Sequence, residues 1–156
     1  MTDHDAMRLA IDKTCEGIAA GQTPFGSVIV SGETVVAVAH NTVWRDGDPT
    51  AHAEINALRQ AARALRRINL SGCTLYSTCE PCPMCLAASH WAKIDRIVYG
   101  ATIADAQAAG FCELCVPAVQ LAQLGGSHLR VETGPLRQEC TELFARWRAA
   151  GLSQPY

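Results

Sequence analysis

Four residues in two short clusters carry the side chains best suited to chemistry. His52 and Glu54 lie in Ala51-His52-Ala53-Glu54, and Cys82 and Cys85 lie in Pro81-Cys82-Pro83-Met84-Cys85. One imidazole and two sulfurs are ligands that suit a tetrahedral Zn²⁺. Three protein ligands leave the fourth position to water, which is the layout of a catalytic zinc rather than a closed structural one. Such a zinc lowers the pKa of its water from roughly 16 toward about 7, so a nucleophile is available at neutral pH. Glu54, unligated beside it, is the expected proton carrier, able to accept the water proton and deliver it to a leaving group. The competing reading is a binding module around a structural zinc, with a fourth protein ligand closing the site; it leaves Glu54 with no task.

The spacing also says how these groups must be held. His52 and Glu54 are two apart and would face different sides of a helix interior. At a helix start both can reach a site lying over the helix end. Cys82 and Cys85 are three apart, which puts both sulfurs on one side of a turn. A helix N-terminus favours the thiolate form that zinc requires. Cys79-x-x-Cys82 offers an overlapping pair of sulfurs; the pair after Pro81 matches a helix start better, and Cys79 reads as packing at a strand end. Glu80 reads as a partner for the positive end of the following helix.

The other reactive side chains are read more plainly. Cys15, Cys73 and Cys140 are expected as small buried hydrophobes. Cys112-Glu113-Leu114-Cys115 is a further Cys-x-x-Cys, but a second zinc would need two more ligands and only His128 is remotely near. Packing thiols or an oxidation-prone pair are expected there. His40 and His90 are expected to be structural, and Arg59, Arg63 and Arg66 to form a solvated face or subunit rim.

The positioning elements follow from periodicity. Residues 5–20 repeat Met7, Ile11, Cys15 or Thr14, and Ile18 at helical spacing, with Gly21 as a stop. Phe25–Val30 and Thr34–Ala39 are β-rich runs joined by Ser31-Gly32-Glu33, a hairpin. Trp44–Asp48 reads as a loop. Thr50 is the expected N-cap of a helix to about Arg67, with Ile55, Leu58, Ala62 and Leu65 inward. Cys73–Thr78 is a strand, and Pro81 suits the first turn of a helix ending near Trp91. Ile94–Tyr99 is a strand, Val116–Leu124 a helix ended by Gly125-Gly126, His128–Glu132 a fifth strand, and Leu136–Ala150 a last helix with Leu136, Cys140, Leu143, Phe144 and Trp147 inward. This order implies an α/β fold, a three-layer α/β/α sandwich around a five-stranded mixed sheet.

Composition sets bounds on the function. The chain has 156 residues, 49% of them apolar, with eight cysteines and a formal charge of −2. It is long enough for one domain, 1–156, with a substantial core, and no repeat or linker interrupts it. The near-neutral charge gives no global field to recruit nucleic acid or an anionic membrane. The first residues carry neither a basic nor an apolar signal region, and no apolar run reaches eighteen residues. A cytoplasmic protein that does not enter the membrane is expected. In that setting the cysteines point to metal or catalysis before disulfides.

The pattern H-x-E…P-C-x-x-C is a general signature of zinc nucleobase deaminases. With Pro24-Phe25-Gly26-Ser27-Val28-Ile29-Val30, Asn41, Asp48-Pro49-Thr50, Thr78-Cys79-Glu80 and Trp91-Ala92 it makes the chain resemble the cytidine deaminase-like superfamily over roughly residues 5–156. Within it the chain is most similar to small bacterial guanine deaminases. The resemblance implies the cytidine deaminase-like fold, one Zn²⁺ per chain on His52, Cys82 and Cys85, a nucleobase substrate and a homodimer. It also implies Glu113 as a second catalytic carboxylate, where Cys112 departs from the acid common just before it. Asn41 is implied to bond the base edge, Phe25 to stack on the ring, the Ala53 backbone to meet a ring atom, and Trp91 and Tyr156 to border the pocket. The nearest competitor is the tRNA adenosine deaminase branch, which needs a cationic path for RNA. Here only Lys13 and Lys93 are lysines and residues 151–156 carry no positive side chain.

Overall fold

A computed structural model describes residues 1–112 and 114–156. In chain order the elements are α1 (Asp3–Ala19), β1 (Gly26–Ser31), β2 (Thr34–His40), α2 (Val43–Asp46), α3 (Ala53–Leu65), β3 (Cys73–Cys79), α4 (Pro83–Trp91), β4 (Arg96–Ala101), α5 (Ile103–Ala108), α6 (Ala118–Leu124), β5 (Arg130–Thr133) and α7 (Arg137–Ala149). The five strands form one sheet in the order β2-β1-β3-β4-β5. β1 is antiparallel to both β2 and β3, with Ser27 opposite Ala39 and Ser77, whereas β4 runs parallel to β3 and β5. The sheet is therefore mixed, as the sequence order implies. Gly32 closes the β1–β2 hairpin at φ 60°, a conformation that a Cβ disfavours.

Period-two alternation buries the sheet on both faces. Val28, Val30, Tyr76 and Val98 pack with α1 and α7 through Met7, Ile11, Leu143, Phe144 and Trp147. Ile29, Leu75 and Ile97 face the other way, onto Ala57, Leu58 and Ala61 of α3, Leu86 of α4 and Ala118 and Ala122 of α6. These two cores make the three layers. Burying one such aliphatic side chain contributes roughly 1.5–3 kcal/mol. α1 starts in a capping box, Thr2 with Asp5. It lies so close to β1 that a Cβ on Gly26 would collide with Thr14 Oγ1 and the Ala10 carbonyl.

Several boundaries differ from the sequence expectation. α3 begins at Ala53 with His52 as N-cap, not Thr50. Asp48 Oδ1 accepts both the Thr50 amide (2.8 Å) and its hydroxyl (2.7 Å), so Thr50 is held in a turn. α4 begins two residues after Pro81, with Cys82 as N-cap and Pro83 in its first turn. Part of the segment 44–48 expected as a loop belongs to the one-turn helix α2, which ends at Gly47 in the left-handed region. α5 is an element periodicity did not resolve; its capping box, Thr102 with Asp105, was the available signal. β5 starts two residues later than expected, at Arg130. Cys73 and Cys140 are buried as expected, but Cys15 is only half-buried. Among the described residues, no helix is long and apolar enough to cross a membrane.

Candidate active site

α3 and α4 arrive head-first at one point. His52 caps the first and Cys82 the second, and Cys85 follows one turn into α4. Candidate ligand atoms of His52, Cys82 and Cys85 all lie within 4.8 Å of one another, the one such cluster of three or more among the described residues. Cys82 Sγ is 3.7 Å and Cys85 Sγ 3.5 Å from His52 Nδ1. A tetrahedral zinc with bonds of about 2.3 Å to sulfur and about 2.0 Å to nitrogen sets sulfur and nitrogen roughly 3.6 Å apart. The donors present therefore fit zinc in type and spacing, and Nδ1 is the imidazole atom turned to the sulfurs. Cys79 takes no part: it is buried, its thiol directed to the Thr102 carbonyl at 3.6 Å.

The electrostatics favour a metal. Cys82 is lowered to about 4, chiefly by the hydrogen bond from Cys85 and also by His52, with burial opposing. Cys85 moves the other way, because it gives that bond and is itself buried. A metal at this point takes both sulfurs as thiolates, so its binding releases the protons they carry.

Glu54 sits in the first turn of α3 and is 6% exposed. Burial raises its pKa above the ordinary carboxylate value, with His52 opposing. A raised pKa makes the carboxyl a better proton acceptor, as a group that takes and returns a proton requires. Ser77 Oγ donates to Glu54 Oε1 at 3.3 Å from the central strand β3. The sequence reading missed Ser77. Alternation along β3 was the available signal, since Ser77 shares the face of Leu75, the α3 side.

A cavity of about 210 Å³ opens beside the ligands, lined by Pro49, His52, Cys82, Pro83, Met84, Cys112, Leu114 and Tyr156. Pro49, Met84 and Leu114 were not anticipated in its wall. Tyr156 is brought in, its ring centroid 5.2 Å from that of His52 and 6.0 Å from that of Phe111. Asn41 is fully buried; its Oδ1 accepts from the Val43 amide at 3.0 Å and its Nδ2 donates to the Tyr156 hydroxyl at 2.6 Å. Ala53 is buried as the first residue of α3, directly after His52.

Phe25 and Trp91 do not line this cavity. Phe25 packs edge-on against Phe111 at 4.9 Å and Phe144 at 5.9 Å, within the α1–α7 core. Trp91 lies elsewhere in this chain. It is 78% exposed at the far end of α4, on a groove shared with His90 and Leu121, because nine residues of helix carry it away from Cys82. Cys112 and Cys115 are exposed, which removes the packing-thiol reading. Glu113 lies outside the described residues. Arg59 and Arg63 are exposed on α3 as expected, Arg59 being 3.8 Å from Asp48.

Two helix starts presenting one imidazole, two thiols and an adjacent buried carboxylate define a zinc-dependent hydrolytic deaminase. Residues 1–101 match the model of the cytidine and deoxycytidylate deaminase zinc-binding region, and the chain belongs to that family. It is 44% identical over 112 residues to guanine deaminase of Bacillus subtilis strain 168, covering 71% of this chain and 72% of that one. It is 30% identical over 141 residues to the tRNA-specific adenosine deaminase of Buchnera aphidicola subsp. Schizaphis graminum, covering 90% of each chain. A solved structure of a variant protein in complex with 8-azaguanine superposes with TM-score 0.87 at 28% identity, covering 95% of this chain and 85% of that one.

Proposed function

We propose that the protein hydrolyses guanine to xanthine and ammonia. The observation carrying this reading is the join between sequence and site: 44% identity to a guanine deaminase accompanies the complete His52, Glu54, Cys82 and Cys85 set. The 8-azaguanine complex of a structural relative supports a purine-sized ligand. His52, Cys82 and Cys85 would hold a zinc, which would supply Lewis-acid activation of the attacking water. Glu54 accepts a proton from that water and passes it to a ring nitrogen. The C–O bond forms as that water adds to the ring carbon. Glu54 then takes the second proton, from the added hydroxyl, and gives it to the exocyclic amine, whose C–N bond breaks to release ammonia as the new C=O forms. Asn41 and the Ala53 backbone hold the base edge, Tyr156 borders the ring, and Glu113 serves as the second carboxylate. The Phe25 ring acts at one remove, by supporting Phe111.

The protein is proposed to work as a homodimer in the cytoplasm. The exposed Trp91 and Leu124 on α4 and α6 support a second copy as the partner. The sulfur ligands Cys82 and Cys85, which a metal needs unoxidised, support a reducing compartment. An ammonia-release panel over guanine, guanosine, adenine, cytosine and a tRNA stem-loop tests the substrate. Turnover on guanine is expected. Turnover confined to the stem-loop moves the assignment to the tRNA branch. Light scattering on a sizing column tests the dimer.

A further inference from the structure

Both oxygens of one buried carboxylate are occupied by the amides that open two different helices. The Ile103 amide, at the start of α5, donates to Glu80 Oε2 at 3.0 Å, and the Ala118 amide, at the start of α6, donates to Oε1 at 2.8 Å. Glu80 is 7% exposed, and its own amide donates to the Ala101 carbonyl at 2.8 Å, so its backbone is fixed to the end of β4. It sits on the loop leaving β3, two residues before Cys82.

Ile103 and Ala118 bracket the chain that builds one side of the cavity. Between them Cys112 and Leu114 line it, and Phe111 packs against both Phe25 and Tyr156. We infer that Glu80 is a positioning residue for deamination: it clamps both ends of the 103–118 wall to the loop that carries the sulfur ligands. The residue type follows from the geometry. Amides in the first turn of a helix lack intrahelical acceptors, and leaving one buried and unpaired is costly. A carboxylate offers an acceptor on each of two oxygens. A glutamine in the same place accepts one amide and turns its own NH₂ toward the other; an alanine accepts neither. Displacing a site wall by about 1 Å can cost on the order of a hundredfold in rate.

The inference rests on the deaminase reading, and its test separates the two. Wild-type protein first decides the substrate in the panel above; Glu80 variants are then assayed on whichever base it turns over. Glu80→Gln is expected to bind one zinc per chain and to raise KM about tenfold or more, with a smaller fall in kcat, as the wall loosens. Glu80→Ala should do more in the same direction. The Ile103 and Ala118 amides should exchange with solvent faster in both variants. Asp3→Asn, at the distant start of α1, is the control for destabilisation alone and should lower Tm without moving KM. If Glu80→Ala fails to fold, Glu80→Gln decides. Kinetic constants within twofold of wild type well below the Tm would overturn the inference. So would activity lost in proportion to zinc, which would place Glu80's effect on Cys82 rather than on the wall.

Discussion

The Asn41 side-chain amide donates to the Tyr156 hydroxyl across 2.6 Å, tying the segment that follows α7 to the loop after β2. A second tie lies nearby, from Trp44 Nε1 to the Gln154 carbonyl at 3.1 Å. Tyr156 thereby borders the cavity. Tyr156→Ala is expected to leave zinc bound and raise KM by about tenfold, because a cavity that loses its aromatic border holds a planar base less well. Tyr156→Phe keeps the ring and should fall between that variant and wild type. Steady-state kinetics on both decide; an unchanged KM in the alanine variant removes Tyr156 from the substrate site.

Glu54→Gln preserves shape and removes the proton carrier. It is expected to retain zinc and to lose about 10²–10⁴-fold in kcat, the usual contribution of a positioned acid–base group. Metal analysis alongside a single-turnover assay checks it, and a fully active variant would end the shuttle role.

Ser77 acts through Glu54. Its hydroxyl lies 3.3 Å from Oε1 in a buried setting, so Ser77→Ala frees the carboxyl to turn without touching the ligands. A loss of about tenfold in kcat is expected with KM nearly unchanged, in line with roughly 1.5 kcal/mol for a hydrogen bond to a charged group. The opposite split, with KM raised and kcat kept, would argue against the positioning role.

The metal set and the layered sheet were legible in the sequence because each rests on local spacing: two apart, three apart, alternate along a strand. What escaped rests on tertiary partners. Thr50 looks like an N-cap until Asp48 takes its hydroxyl, and His52 then opens α3. Glu80 looks like a helix-end charge until the fold brings the amides of Ile103 and Ala118 to it from 23 and 38 residues away. Trp91 lies in a stretch that resembles the family, but nine residues of α4 carry it to the surface away from Cys82. Phe25 is aromatic beside a site and yet packs into the core, because Phe111 and Phe144 reach it first.

Zinc joins the starts of two helices, through His52 of α3 and the Cys82 and Cys85 sulfurs of α4. Its removal by a strong chelator is expected to abolish turnover and to lower Tm by several degrees, since a ligand at a hundredfold over its Kd stabilises by roughly 2.7 kcal/mol. Restoring zinc to one equivalent per chain should return both. Differential scanning fluorimetry with metal titration reads this directly, and a Tm indifferent to chelator with activity intact would contradict it.

Asp3 gives a pH signature remote from the metal. Arg96 holds it with two parallel bonds of 2.8 and 2.7 Å, and the Tyr76 hydroxyl donates to it at 2.7 Å. Arg96 chiefly lowers its pKa below the ordinary value, burial opposing, while burial and Asp3 push Tyr76 up to about 12. A carboxylate with a depressed folded-state pKa stabilises the fold above its unfolded pKa of about 3.9 and loses that contribution as pH falls through the folded value. The Asp3 side chain is 39% exposed, so solvent screening holds the contribution to about 1 kcal/mol. Urea unfolding of wild type and Asp3→Asn, both with chelator present, should therefore differ by a constant amount from pH 5 to 8. The gap should begin to narrow as the pH drops below about 4, where Asp3 of the unfolded chain takes up a proton, and vanish once the pH is below the lower folded-state value as well. A gap that persists undiminished at pH 3 would mean the substitution acts through packing at the start of α1 and not through the ion pair.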